Sequence, residues 1–247
     1  YGLLDPYDEI AMGVFADKTA EKYDISREEQ DAFAIRSYKN SEATTKSGVF
    51  KKEIIGVSIP QRKGNPIIVD EDEEYKNVKF EKIPQLRAAF SKDGTVTAAN
   101  ASTINDGASA LILASVEAVK KFDLKPIAKI LSFADAAQAP QWFTTAPTIA
   151  APKALKLAKM STNDVDFFEV NEAFSVVPLA FNKILDIDIN KVNVHGGAVS
   201  LGHPLGASGA RIVTTLNNVL QTKDASVGCA VICNGGGGAS SIVIERV

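Results

Sequence analysis

Cysteine is scarce in this chain: only Cys229 and Cys233 occur in 247 residues. Four apart on a predicted strand, they share a face but lie too far apart along it for an easy disulfide. Histidine is equally scarce, and His195 and His203 do not stand with the cysteines at the tight spacing of a zinc site. Reduced cysteines fit an enzyme of the cytoplasm, the expected location, with the mitochondrial matrix as the alternative. Charge of one sign is lacking too; a net charge of −3 gives no reason to expect a nucleic-acid partner. No apolar run reaches transmembrane length, so no membrane partner is expected. The start, Tyr1 to Asp5, has neither a basic region nor a long apolar core, so it reads as no signal peptide, and it carries no initiating Met. The ending, Ile244 to Val247, is not a peroxisomal Ser-Lys-Leu tail. A hydrophobic share of 45% beside a charged share of 23% is that of an ordinary globular protein, long enough for one large domain or two.

What is present is most legible from Gly196 to Arg211. A β-branched lead-in at Val192–Val194, a glycine-rich loop and an apolar-periodic run at Ile212–Leu220 predict strand, loop and helix. That geometry aims backbone N–H groups and a positive helix end at an anionic or polarised ligand. His203 sits in the loop, and Pro204 biases it towards extended backbone. A lone His-Pro is ordinarily a surface feature. Glycines at 196, 197, 202, 206 and 209 favour a held, presented imidazole instead. Asn171-Glu172-Ala173-Phe174 follows a predicted strand at Val165–Val170. Cys233 and four glycines follow another at Val227–Ile232. Each places polar or nucleophilic groups at a strand's carboxyl end, where open α/β sheets carry their sites.

Along the chain, residues 1–50 predict helices. Ser26-Arg27-Glu28-Glu29 is a capping box, and Gly48 closes the run. Residues 49–92 are polar and irregular, with short strands expected at Ile54–Ile59 and Ile67–Val69. Small residues from Thr95 lead to an apolar run, Ala110–Ala114, and a helix at Val116–Phe122. Beyond Pro126, strands at Ile127–Phe133, Val165–Val170 and Val192–Val194 alternate with helices at Ala150–Lys159, Ala173–Leu185 and Ile212–Leu220. That alternation argues a largely parallel sheet with helices on its faces. The closing strands, Val227–Ile232 and Ser240–Glu245, should pair antiparallel across their short glycine turn. Asp106–Leu113 echoes Gly237–Ile244, each a small-residue turn entering an apolar strand. Duplication is one reading and coincidence the other. Under duplication, the strands before the first echo would lie ahead of Tyr1.

Chemistry beside a thioester needs an acyl-accepting nucleophile, a base for an α-proton and donors for two oxyanions. Cys233 suits the base as a thiolate that nearby donors favour. The bland alternative for Cys233 is a small buried hydrophobe, the reading given to Cys229. His203 suits activation of a nucleophile and donation to a thioester oxygen. Asn171 suits fixing a water or partner beside His203, or else a turn or cap. The unobstructed amide of Gly235 suits a second oxyanion donor.

The motifs Asn-Glu-Ala-Phe, Gly-His-Pro-Leu-Gly-Ala-Ser-Gly-Ala-Arg and Cys-Asn-Gly-Gly-Gly-Gly, in that order, resemble the thiolase family, specifically its acetyl-CoA acetyltransferases. The resemblance implies an α/β fold, a mixed sheet layered with helices plus a helical and irregular loop domain. The implied division is a loop domain over the coenzyme A site (1–92), the last strand and helix of an N-terminal half (93–124) and a C-terminal domain (125–247). It implies reversible condensation of two acetyl-CoA to acetoacetyl-CoA and coenzyme A, with no covalent cofactor. The histidine of Gly-His-Pro, here His203, would activate a nucleophilic cysteine and share an oxyanion hole with a water held by Asn171. Cys233 would be the acid/base and Gly235 a donor.

By the same resemblance, Asn77, Val78, Lys79 and Lys82 would grip the nucleotide end of coenzyme A, Ser102 the pantetheine arm, and Phe174 would wall the acyl pocket. Single lysines are otherwise solvated surface. Met12 is a further coenzyme contact, although Ala11 precedes it where many relatives carry His. His195 stands where relatives often carry Asn. Tyr38, Ala98, Ala99, Ala101 and Val199 match a potassium site of mitochondrial relatives, against the alternative of an ordinary small-residue turn. A homodimer or homotetramer is implied.

The family's nucleophilic cysteine belongs to a motif this sequence does not contain. Residues 1–247 alone are therefore expected to be inactive, since Ser102 and Ser208 show no neighbouring base. The alternatives are a longer-chain 3-ketoacyl-CoA thiolase and a non-catalytic coenzyme A-binding subunit. Ketoacyl synthases would carry a second catalytic His in place of Cys233.

Overall fold

Ser26 opens the longest helix as its spacing predicts: its hydroxyl accepts from the Glu29 amide at 3.1 Å and its own amide donates to the Glu29 carboxylate at 2.6 Å. Two orphan donors are satisfied together, and helix α2 (Arg27–Lys46) follows. Before it lies α1 (Met12–Lys22), and Gly48, in the left-handed region at φ 77°, carries the chain out. The computed structural model describes residues 3–247. Tyr1 and Gly2, and with them the start of the leader reading, lie outside the described residues.

The excursion after Gly48 carries a two-stranded antiparallel hairpin, β1 (Val57–Ile59) and β2 (Ile67–Val69), with both strands exposed throughout. The strand expected in the Ala110–Ala114 run does not form. Residues 102–115 hold no regular element, and Ile112 stands 94% exposed. An apolar strand needs a neighbour to receive its backbone bonds, and among the described residues none pairs with it. Only the second member of the internal echo is therefore strand. Helix α3 (Val116–Phe122) follows with its predicted bounds, and the Ser115 hydroxyl caps it.

From Ala128 the chain builds a four-stranded sheet. Strands β3 (Ala128–Ala137), β4 (Phe167–Val170), β5 (Val227–Asn234) and β6 (Gly238–Arg246) lie in the order β3-β6-β5-β4. Helices α4 (Pro147–Leu157), α5 (Val176–Leu185), the single turn α6 (Ala198–Leu201) and α7 (Ser208–Thr222) connect them. The sheet is mixed, as the fold class requires, but not largely parallel. Only β4 and β5 run parallel, while β6 pairs antiparallel with both β5 and β3. The turn at Gly235, Gly236 and Gly237 sends β6 straight back beside β5, which leaves β3 only the outer edge of β6.

The strand predicted at Val192–Val194 is also absent as a strand. A single parallel bridge joins Val192 to Phe168, and the Asn193 side chain then takes over the pairing. Its Oδ1 accepts from the Val170 amide at 2.8 Å and its Nδ2 donates to the Val170 carbonyl at 2.7 Å. A side-chain amide thus imitates a strand and turns the chain into the glycine loop, with Asn193 itself at φ 48°.

Helices cover both faces of the sheet, and the two-residue period of β5 sorts its side chains between them. Cys229, Val231 and Cys233 face the larger core with Phe15 of α1, Ala150 and Ala154 of α4 and Phe181 of α5. Ala230 and Ile232 face the second core with Ile212, Leu216 and Leu220 of α7. Burial of Leu216 or Leu220 contributes about 2 kcal/mol each before chain entropy is counted. The two cysteines therefore share a face, and both are reduced. No helix among the described residues is long and apolar enough to cross a membrane.

Candidate functional site

The parallel pair β4–β5 ends at one cleft of about 600 Å³, which Met12, Ser102, Phe174, His203, Cys233 and Gly235 all help to line. Asn171 follows β4 directly, and its side chain meets the His203 ring at Nε2. Six of the residues singled out in the sequence thus line one cleft, and a seventh, Asn171, joins them through the histidine ring. Their place is the carboxyl end of parallel strands, where backbone amides and helix ends point outward.

His203 is held from every side. Its amide donates to the Thr103 carbonyl at 3.0 Å, and Gly202 before it takes φ 85°. Its ring Nδ1 lies 2.6 Å from the Ser208 hydroxyl, which in turn donates to the Pro204 carbonyl at 3.0 Å. Ring Nε2 lies 3.2 Å from Asn171 Nδ2, and Asn171 Oδ1 lies 3.5 Å from Arg211 Nη2. One proton arrangement satisfies the whole chain: Arg211 to Asn171, Asn171 to Nε2, Nδ1–H to Ser208, Ser208 to Pro204. Burial, with the Arg211 charge second, holds the imidazole down at about 4, so the ring is neutral at physiological pH. A neutral ring with an unprotonated Nε2 can take a proton from a thiol. The expectation that Ser208 lacks a neighbouring base is corrected here. The imidazole is against it, but the hydroxyl is wholly buried and its proton is committed to Pro204, so it orients the ring. Ser102 is different: its hydroxyl donates to the Ala173 carbonyl at 2.9 Å.

Cys233 is buried, 6% exposed, and burial pushes its thiol up to about 12. The expectation of a thiolate favoured by nearby donors is therefore corrected: the resting group is a thiol, because the larger core face surrounds it and no cation sits beside it. It can still exchange a proton when substrate supplies the charge. Cys229, fully buried with its sulfur 3.3 Å from the Ser241 hydroxyl, is pushed up to about 11 and belongs to the core. Gly235 is open: a side chain there would come no nearer than 3.8 Å to Met12.

The potassium set divides. Tyr38 and Val199 pack together with Tyr75 and Ala34, and the half-buried Val78 joins them. Ala99 and Ala101 are buried and Ala98 is exposed. The carbonyls of Ala98, Ala99 and Ala101 accept no backbone hydrogen bond among the described residues, so they are free to face a cation. Burial, with Glu74 and Glu172 nearby, pushes the Tyr38 phenol up to about 12. Among the described residues no group of three or more His, Cys, Asp or Glu could hold a metal, so any ion here would rely on carbonyl oxygens. Asn77, Lys79 and Lys82 are exposed and do not line the cleft.

Three supports were not singled out in the sequence. Glu172, wholly buried, accepts from Ser37 at 2.7 Å, from Asn193 at 2.9 Å and from the Val199 amide at 3.1 Å, tying α2 and α6 to the loop. Burial raises its carboxyl and the hydrogen bonds oppose that rise. Ser208 and Arg211 are the others. All three lie inside motifs already quoted, but which partners they meet depends on elements far apart in the chain. His195, given as a tolerated neighbour, is buried against Phe50 and held down at about 4 by burial.

Such a fold and cleft define an α/β protein with a histidine and a cysteine gathered at parallel strand ends, the setting of many small-molecule sites. The thiolase N-terminal domain matches residues 1–117 and the thiolase C-terminal domain residues 124–246. An acetyl-CoA acetyltransferase of Schizosaccharomyces pombe is 54% identical over the whole chain, which covers 62% of that protein. A mitochondrial acetyl-CoA acetyltransferase of Danio rerio is 56% identical over 99% of the chain and 58% of its own length. The crystal structure of the Acat5 thiolase of Ascaris suum in complex with coenzyme A superposes with a TM-score of 0.91 at 47% identity, covering 100% of this chain and 63% of that one. The chain belongs to the thiolase family. It spans about three fifths of the length of the curated relatives it matches, and those relatives carry mitochondrial and cytosolic labels alike.

Proposed function

We propose that this chain forms the acetyl-transfer and condensation site of an acetyl-CoA C-acetyltransferase. The carrying observation is a neutral, fully braced His203 lining the same cleft as the buried thiol of Cys233. Acetyl transfer then runs as follows. A thiol that neither Cys229 nor Cys233 supplies attacks the thioester carbonyl and gives its proton to His203 Nε2. The coenzyme A sulfur leaves with the proton of the Cys233 thiol, and Cys233 is left as a thiolate. For condensation, that thiolate takes an α-proton from a second acetyl-CoA, and the carbanion attacks the bound acetyl carbonyl. The acceptor thiol leaves with the proton that His203 has held, and acetoacetyl-CoA forms. The Gly235 amide, unobstructed, stabilises one oxyanion; His203, once protonated, and a water on Asn171 stabilise the other.

Ser102, Phe174 and Met12 line the cleft for the pantetheine arm and acyl group. Asn77, Val78, Lys79 and Lys82 we assign to the nucleotide end, beyond the cleft mouth, in a loop domain of residues 1–92. Residues 93–124 are the end of an N-terminal half, and 125–247 the C-terminal domain. Tyr38, Val199 and the free carbonyls of Ala98, Ala99 and Ala101 would hold potassium, which when bound would tie α2 to the catalytic loop. Equal activity in potassium and in a bulky organic cation at matched ionic strength would remove that ion. The protein is assigned to the cytoplasm as a homodimer or homotetramer; fractionation and light scattering test each. Relatives acting on longer acyl chains are the second reading, favoured by no feature of the cleft.

Thiolysis of acetoacetyl-CoA by the purified protein, with wild type compared against Cys233→Ser, tests the reading. Turnover should largely vanish in the variant while coenzyme A binding persists. Coenzyme A binding without any turnover, in a protein shown to carry an acceptor thiol, would establish the non-catalytic reading instead. Residues 1–247 by themselves should not turn over; saturable turnover by that stretch would mean one of its own two thiols carries the acyl group.

A further inference from the structure

Arg211 stands at the start of α7 with a surplus of acidic neighbours and no assigned task. Its charge acts on Glu53, Asp72, Glu169 and Glu172, and on His203. Glu169 is wholly buried on β4, directly beneath Asn171 in sequence, and its Oε1 has no hydrogen-bond partner among the described residues. Arg211 Nη1 is likewise buried and without one. Burial raises the Glu169 carboxyl well above its ordinary range, and the one hydrogen-bond contact the guanidinium makes among the described residues is Nη2, 3.5 Å from Asn171 Oδ1.

A guanidinium can only donate, so the Asn171 amide must turn its oxygen towards Arg211 and its NH2 towards His203. An NH2 facing Nε2 at 3.2 Å forbids a proton there. The neutral ring must then carry its proton on Nδ1, and Ser208, 2.6 Å away, must accept it and pass its own to Pro204. Reversing the amide would set two donors against each other at Arg211. It would also put the ring proton on Nε2, leaving that nitrogen unable to accept one. We propose that Arg211 is a positioning residue that selects the Nδ1–H tautomer of His203 through the amide of Asn171. Its value for catalysis rests on the acetyl-transfer reading above, because that reading needs an unprotonated Nε2.

The test is ¹⁵N NMR of ring-labelled histidine in the protein carrying this chain, with His203→Gln used only to assign the signal. Wild type should show a single Nδ1–H tautomer. Arg211→Met should mix the two tautomers and lower kcat about tenfold or more, with KM for acetyl-CoA within about twofold. Arg211→Lys, which keeps a charge and a donor, should restore the single tautomer and most of kcat. A single Nδ1–H tautomer surviving in Arg211→Met overturns the proposal, and so does a Lys variant as mixed as the Met variant. If Arg211→Met does not fold, Asn171→Leu cuts the same link, and an unmixed tautomer there overturns it equally. A wild type with the Nδ1–H tautomer, sensitive to Arg211, but without acetyl transfer would keep the assignment and remove the functional reading. Active enzyme whose tautomer ignores Arg211 would do the reverse.

Discussion

The imidazole Nδ1 of His203 lies 2.6 Å from the hydroxyl of Ser208, whose own proton goes to the Pro204 carbonyl four residues back, at 3.0 Å. Ser208 is the first residue of α7, so the helix start itself fixes the ring. Removing the hydroxyl leaves a buried N–H without an acceptor, a loss of about 1–3 kcal/mol. Ser208→Ala should therefore lower the urea midpoint modestly and cut the rate of acetyl transfer about tenfold or more, through a ring no longer aimed. Rapid-quench measurement of the first acyl turnover checks it, and an unchanged rate would reduce Ser208 to a helix residue.

Burial raises both cysteine thiols, Cys233 to about 12 and Cys229 to about 11. Neither should therefore react readily with iodoacetamide at pH 8 in the folded protein, whereas both should react at once in urea. Mass spectrometry of digests taken over time distinguishes them. Fast folded-state labelling of Cys233 would show that the resting group is a thiolate after all.

Much of this site could be read from the chain because its groups sit in short motifs at strand ends. Asn171 follows β4 directly and Cys233 is the penultimate residue of β5, and local pattern predicted both strands. The capping box of α2 and the β5–β6 hairpin were legible for the same reason. Strands that depend on distant partners were not. Val192–Val194 yields to the Asn193 side chain, and the Ala110–Ala114 run finds no neighbour among the described residues. Parallel versus antiparallel pairing likewise turned on β6 returning between β5 and β3. The brace behind His203 was hidden because Glu172 meets Ser37 across 135 positions of sequence, and Arg211 meets Asn171 across 40.

Glu53 offers a pH-dependent stability that can be isolated. It packs against α7, where Thr215 faces its Oε1 at 3.5 Å, and burial pushes its carboxyl up to about 7. A raised folded-state value means the native protein holds a proton that the unfolded chain releases. The resulting destabilisation is absent below about 4.5, grows as pH rises, and is complete above about 7. Glu53→Gln should thus raise stability at pH 8 by on the order of 1–3 kcal/mol and change it little at pH 4.5. His195 and His203, both held down at about 4, act with the opposite slope between about 4 and 6.5. Comparing variant with wild type at each pH cancels them. Equal urea midpoints for the two proteins at pH 8 would show that Glu53 ionises freely.

Gly197 faces a carboxylate that cannot move aside. A Cβ at this position would fall inside the van der Waals shell of the Glu172 carboxyl group. Glu172 is wholly buried and fixed by Ser37, Asn193 and the Val199 amide, so the strain must pass to the loop before His203 or to α2. Gly197 is in extended backbone at φ −165°, so the objection is to volume and not to conformation. Gly197→Ala should cost about 2–4 kcal/mol and lower acetyl transfer along with stability. Shortening the carboxylate gives the decisive comparison. Glu172→Asp alone should destabilise by drawing back from its three donors, yet it opens room for the new methyl group. The double variant should therefore be less damaged than the two single losses added together, a coupling of about 1 kcal/mol or more from urea midpoints. Strict additivity would mean that Gly197 is required for a reason other than the approach of Glu172.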